Sequence, residues 1–105
     1  NLNLSGNALE HLSNLENLKK LNVLNLSYNQ LTELPQILKG LISLKNLDLR
    51  QNLLKVLPEN FGQLQNLQIL NLKNNQITYL PENFGNLTNL ITLNLEDNKL
   101  NDLPE

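Results

Sequence analysis

The sequence predicts an α/β solenoid, in which short parallel strands, one per repeat, stack into a sheet and return through 3₁₀ or helical turns. Three observations predict it. One seven-position pattern recurs along the whole 105-residue chain. Leucine makes up more than a quarter of the residues and asparagine about a fifth, far from ordinary mixed usage. Aromatic residues are only 4%, so a core has to be built by stacking many leucines.

The pattern reads Leu21-x-x-Leu24-x-Leu26-x-x-Asn29-x-Leu31-x-x-Leu34-Pro35. It returns as Leu44, Leu47, Leu49, Asn52, Leu54, Leu57, Pro58, and again as Leu67, Leu70, Leu72, Asn75, Ile77, Leu80, Pro81. A last copy runs Leu90, Leu93, Leu95, Asn98, Leu100, Leu103, Pro104, and a partial one opens the chain with Leu2, Leu4, Asn7, Leu9, Leu12. Successive asparagines, Asn7, Asn29, Asn52, Asn75 and Asn98, lie 22, 23, 23 and 23 residues apart. The chain therefore divides into about 4.5 units, near 1–20, 21–43, 44–66, 67–89 and 90–105, within one domain.

Each spacing has a physical reason. Strand side chains alternate between faces, so the two leucines of L-x-L point to one side. Leu24 with Leu26, Leu47 with Leu49, Leu70 with Leu72 and Leu93 with Leu95 are assigned inward on that ground. Burying each leucine contributes roughly 1.5–3 kcal/mol. The asparagine after each strand sits where the chain turns and backbone groups lose ladder partners. A carboxamide both donates and accepts, so these five form a structural column.

The return segments Leu57-Pro58-Glu59-Asn60-Phe61-Gly62 and Leu80-Pro81-Glu82-Asn83-Phe84-Gly85 are near duplicates. Proline suits the first position of a short helix, where a missing N–H is no loss. Phe61 and Phe84 are expected to stack one above the other. The opening copy instead spaces Leu9, Leu12, Leu15, Leu18 and Leu21 three apart without proline, which predicts a tighter 3₁₀-like return there.

The L-x-x-L-x-L-x-x-N-x-L pattern resembles that of the leucine-rich repeat family, across essentially the whole chain. The L-P-x-x-[I/F] returns are similar to the subclass found in Ras-suppressor-like and many bacterial repeat proteins, and the opening copy to the shorter 22-residue class. The resemblance implies a right-handed horseshoe, with the parallel sheet lining the concave face and the short turns on the convex face. It also implies a protein–protein interaction scaffold that binds on the concave face.

Four columns of strand positions point away from the leucines. They read Val23, Asn46, Ile69, Thr92; then Asn3, Asn25, Asp48, Asn71, Asn94; then Ser5, Ser27, Arg50, Lys73, Glu96; and last Gly6, Tyr28, Gln51, Asn74, Asp97. This surface is polar, with a basic centre at Arg50 and Lys73 and an acidic end at Glu96 and Asp97. Tyrosine and arginine are favoured at interface hot spots, so Tyr28 and Arg50 are the expected anchors. Lys73, Asp48, Asn71, Asn25, Gln51, Asn74 and Ile69 are expected around them.

Catalytic chemistry finds no support in the residues. His11 is the lone histidine, and zinc sites want three or four ligands. No nucleophile turn or phosphate-binding glycine motif occurs. Glu59 and Glu82 recur one repeat apart and read as periodic, solvent-facing scaffold positions. No cofactor is expected. A net charge of −2 gives no electrostatic case for nucleic acid, and no stretch reaches the roughly 20 apolar residues of a membrane span. Three sequons start at Asn3, Asn25 and Asn86, a frequency that an asparagine-rich chain reaches by chance.

The absence of cysteine excludes disulfides and fits a reducing compartment, which favours the cytoplasm, while export is also permitted. Abundant asparagine, lysine and isoleucine fit an AT-rich, bacterial genome. Polar caps are missing from both ends, which predicts flanking repeats in a longer array. The expected partner is another protein. The alternative is a regulatory or targeting segment of a larger enzyme, or of a bacterial protein that engages its host.

Overall fold

In a computed structural model, which describes residues 2–6, 20–34 and 41–100, five strands form one parallel sheet in the order β1-β2-β3-β4-β5. The strands are β1 (Leu2–Asn3), β2 (Val23–Asn25), β3 (Asn46–Asp48), β4 (Ile69–Asn71) and β5 (Thr92–Asn94). Their register follows the repeat: Leu2 pairs with Leu24, Leu24 with Leu47, Leu47 with Leu70 and Leu70 with Leu93. A strand of three residues is too short to hold a sheet alone. Its ladder is extended by Leu4, Leu26, Leu49 and Leu72, whose N–H groups each donate at 2.8 Å to the carbonyl of the next coil.

The inward leucines form the core. Leu24, Leu26, Leu47, Leu49, Leu70 and Leu72 are fully buried, as are Leu31, Leu54 and Ile77 behind the turn. At the last strand the layer opens, and Leu93 is 38% exposed. Phe61 and Phe84 stack as expected, with ring centroids 6.1 Å apart and planes within 8°. Parallel, offset rings suit the quadrupoles of both.

The return segments Glu59–Gln63 and Glu82–Asn86 are 3₁₀ helices. Pro58 and Pro81 stand one residue ahead of them, in extended backbone with ψ of 151° and 155°. The expected first-turn position is thus shifted outward by one. The physical logic survives, because each proline carbonyl accepts the first bond of the turn, from Phe61 and Phe84 N–H at 3.0 Å, and no proline N–H is needed. Gly62 has a steric reason. A Cβ there would overlap the Asn83 carbonyl oxygen and lie 2.8 Å from Asn83 Cγ, whereas one on Gly85 meets open space.

The asparagine column stitches neighbouring coils together. Asn52 Nδ2 donates at 3.0 Å to the Leu49 carbonyl of its own coil and at 3.0 Å to the Leu26 carbonyl of the coil before. Its Oδ1 accepts from Leu31 N–H at 3.1 Å, again in the preceding coil. Asn75 repeats the arrangement with Leu49, Leu72 and Leu54, and Asn98 with Leu72, Leu95 and Ile77. Asn29 donates likewise to Leu4 and Leu26. Asn29, Asn52 and Asn75 are buried. Asn7 lies outside the described residues, as do the opening return segment, Pro35 and His11.

A feature that the repeat pattern does not announce follows each strand. Gly6, Tyr28, Gln51, Asn74 and Asp97 all have positive φ, between 57° and 70°. Only Gly6 is of the type that enters this region without cost. The conformation turns the chain out of the sheet while the N–H groups of Gly6, Tyr28, Gln51 and Asn74 still bond the next coil, as Gln51 N–H does to the Lys73 carbonyl at 2.9 Å.

Three outcomes follow for stability in denaturant titration. Asn52→Ala should cost about 1–3 kcal/mol through orphaned buried groups and Leu70→Ala about 2–5 kcal/mol, while Glu59→Ala stays within about 0.5 kcal/mol. Gly62→Ala should destabilise by about 1–3 kcal/mol through overpacking, and Gly85→Ala should be close to silent; equal effects would disprove the close-approach argument. Gln51→Gly should raise stability by up to about 1 kcal/mol by relieving the left-handed backbone, and Gln51→Val should lower it.

Candidate functional site: the outer face of the sheet

The residues of the outer sheet face reach it by simple alternation. Leu24, Leu47 and Leu70 are buried on one side of their strands, so their neighbours are turned to the other. Ile69 is 41% exposed and Tyr28 56% exposed. Glu96 and Asp97 are exposed, while Asn25, Asp48, Arg50, Gln51, Asn71, Lys73 and Asn74 are half-buried.

Three of these residues form one unit. The Arg50 guanidinium lies over the Tyr28 ring, 5.7 Å from its centroid. Arg50 Nε stands 3.2 Å from Asp48 Oδ2 in an ion pair. Tyr28 belongs to one coil and Arg50 to the next, and the Tyr28 N–H bonds the Arg50 carbonyl at 3.0 Å. The backbone bond therefore brings the ring beneath the guanidinium. Asp48 engages one edge of the cation, and the side chain keeps 42% of its surface exposed. Lys73, Glu96 and Asp97 are placed in line along the same columns, and among the described residues they form no ion pair.

The second column has a local duty that sequence reasoning missed. The side-chain oxygens of Asn3, Asn25, Asp48, Asn71 and Asn94 each accept the N–H two residues on, at 3.0–3.2 Å. Asparagine and aspartate make this turn readily, which explains why every copy has one of them there. Recurrence of Asn or Asp at a fixed distance before the turn was the available signal. Ser27, assigned to the outer columns, is instead buried at 2% exposure. Its short side chain folds back, and Oγ donates to Asn25 Oδ1 at 2.7 Å.

Further side-chain amides, outside the repeat's asparagine column, bridge the return segments. Asn66 Nδ2 donates to the Ile42 carbonyl at 2.8 Å and Asn89 Nδ2 to that of Gln65 at 2.7 Å. Asn83 Nδ2 donates to the Glu59 carbonyl. These spacings of 24 residues tie each return segment to the one before it. Among the described residues no group of three or more histidine, cysteine or carboxylate side chains could hold a metal ion, and no helix is long and apolar enough to cross a membrane.

Comparison with known proteins agrees with this geometry. No curated protein matches the chain. A solved leucine-rich repeat protein of Leptospira interrogans, LIC12759, is similar over 99% of the chain, with 39% identity and a TM-score of 0.88. An internalin (inlF) from Listeria monocytogenes is similar over 90%, with 26% identity and a TM-score of 0.66. The chain spans about a third of either structure, 33% and 34%. The family profile described as a leucine-rich repeat region matches residues 2–94, and with the stacked parallel strands and asparagine column this places the chain in the leucine-rich repeat family.

Proposed function

We propose that the chain is a non-catalytic protein-binding module whose partner lies across the outer face of the sheet, the concave side of the curve. The observation that carries this reading is the Tyr28–Arg50–Asp48 unit. A tyrosine offers apolar area with a hydroxyl at its tip, and an arginine stacked on it keeps donors free for a carboxylate. Both are held by the backbone bonds of adjacent coils, so little ordering cost remains to be met on binding. Lys73, Asn71, Asn74 and Gln51 extend the patch, Asn25 and Ile69 flank it, and Glu96 with Asp97 give the far end the opposite sign. A partner with complementary charge along one line would be held in a single orientation.

The two solved structures are bacterial, and each is about three times the length covered here. This favours a second reading, in which the module is the recognition segment of a larger bacterial protein that engages a host protein.

A photo-crosslinking amino acid placed at position 28 or 69 should capture a partner protein in the producing cells or their host. The same group at Gln63 or Asn86, exposed on the return side, should not capture that partner. Arg50→Glu should weaken capture, with a loss that shrinks at high salt. Capture confined to positions 63 and 86 would sink the sheet-face assignment.

A further inference from the structure

On the return side of the coils an open cavity of about 500 Å³ is lined by Leu57, Leu80, Pro81, Tyr79, Glu59 and Glu82, with Asn83 at its edge. Leu57, Leu80, Pro81, Glu59, Glu82 and Asn83 are repeat positions, and Tyr79 is the lining residue that the repeat does not call for. Thr78 N–H donates to the Lys55 carbonyl at 3.2 Å, so Val56 and Tyr79 occupy neighbouring steps of one column. The equivalent step in the copy before is Glu33, an exposed carboxylate. A position that tolerates a charge therefore carries apolar groups in the two coils around the cavity. Val56 is 36% and Tyr79 56% exposed, and neither belongs to the core cluster.

The floor is apolar, with Leu57 and Leu80 nearly buried. The rim carries the carboxylates Glu59 and Glu82, both exposed, and among the described residues no cation pairs with either. An apolar floor, a phenol ring and two unpaired carboxylates match the two halves of a long cationic side chain. Its methylene stem lies on apolar surface while the charged head stays at the polar edge. The head is attracted both by the ring face and by the carboxylates. Anionic ligands are repelled by the same rim, and a neutral aliphatic chain gains nothing from it. The volume exceeds one side chain, which leaves room for flanking backbone.

We propose that this cavity is a second docking site, which takes a lysine or arginine side chain presented by a protein segment. It is separate from the sheet face and does not depend on the reading given for it. The test titrates the full chain, labelled with nitrogen-15, with acetyl-lysine amide and acetyl-arginine amide, and with acetyl-norleucine amide as the uncharged comparison. Saturable amide shifts should appear at Val56, Glu59, Tyr79 and Glu82 with the cationic probes, and the norleucine probe should bind at least about tenfold more weakly. The double change Glu59→Gln with Glu82→Gln should weaken the cationic probes by about tenfold, with the circular dichroism spectrum unchanged. Tyr79→Leu, which keeps the apolar wall, should weaken them less. Arg50→Glu should leave them unaffected. Absent or unsaturable shifts, equal binding of norleucine, or full binding by the double variant would each overturn the proposal.

Discussion

A chain that reverses direction within every repeat must satisfy the backbone groups it turns, and here one carboxamide per coil does so. Asn52 reaches back to the Leu26 carbonyl and the Leu31 N–H as well as to its own Leu49. The same side chain therefore closes a turn and fixes the distance and register to the coil before. Leucine burial supplies most of the stabilising free energy, yet it is non-directional and would accept small slips between coils. The amide column does not, because its donors and acceptors must align. Layered leucines, the Phe61–Phe84 stack and the outer columns of the sheet all inherit their positions from that alignment.

With the scaffold set by positions that hardly vary, what distinguishes one coil from the next lies where the copies differ. In one column Arg50 and Lys73 are basic, Glu96 is acidic and Ser27 is neutral and buried. Val56 and Tyr79 likewise depart from Glu33. These departures contribute little to holding the coils together and are free to serve recognition. Rigidity links the two sets. Asp48 accepts the Arg50 N–H and pairs with its guanidinium, so a residue of the turn also orients the side chain offered to a partner.

Strain is distributed along the same lines. Tyr28, Gln51, Asn74 and Asp97 hold left-handed backbone without glycine's freedom, and in the first three the bond from the N–H to the next coil helps to offset the cost. The exchange is local in sequence only on one side. The acceptor for Tyr28 is the carbonyl of Arg50, a full repeat away.

Periodicity made much of this protein legible from residues alone: the parallel strands, their register, the inward leucines, the asparagine column and the aromatic stack. Such features recur at a fixed step, and alternation or carboxamide chemistry gives each a single sensible place. What periodicity could not show was which non-repeating residues meet. The stacking of Arg50 on Tyr28, the burial of Ser27, the overlap that forbids a Cβ on Gly62 and the cavity beside Tyr79 all depend on contacts between coils, or on how a side chain folds back. The left-handed turns stayed hidden for a related reason, since glycine marks only the first of them. By itself the sequence determined a solenoid and its spacing, because both follow from local alternation and repeated burial. The tertiary structure decided the grouping of side chains into sites, because residues some 22 or 23 positions apart become neighbours only when the coils stack.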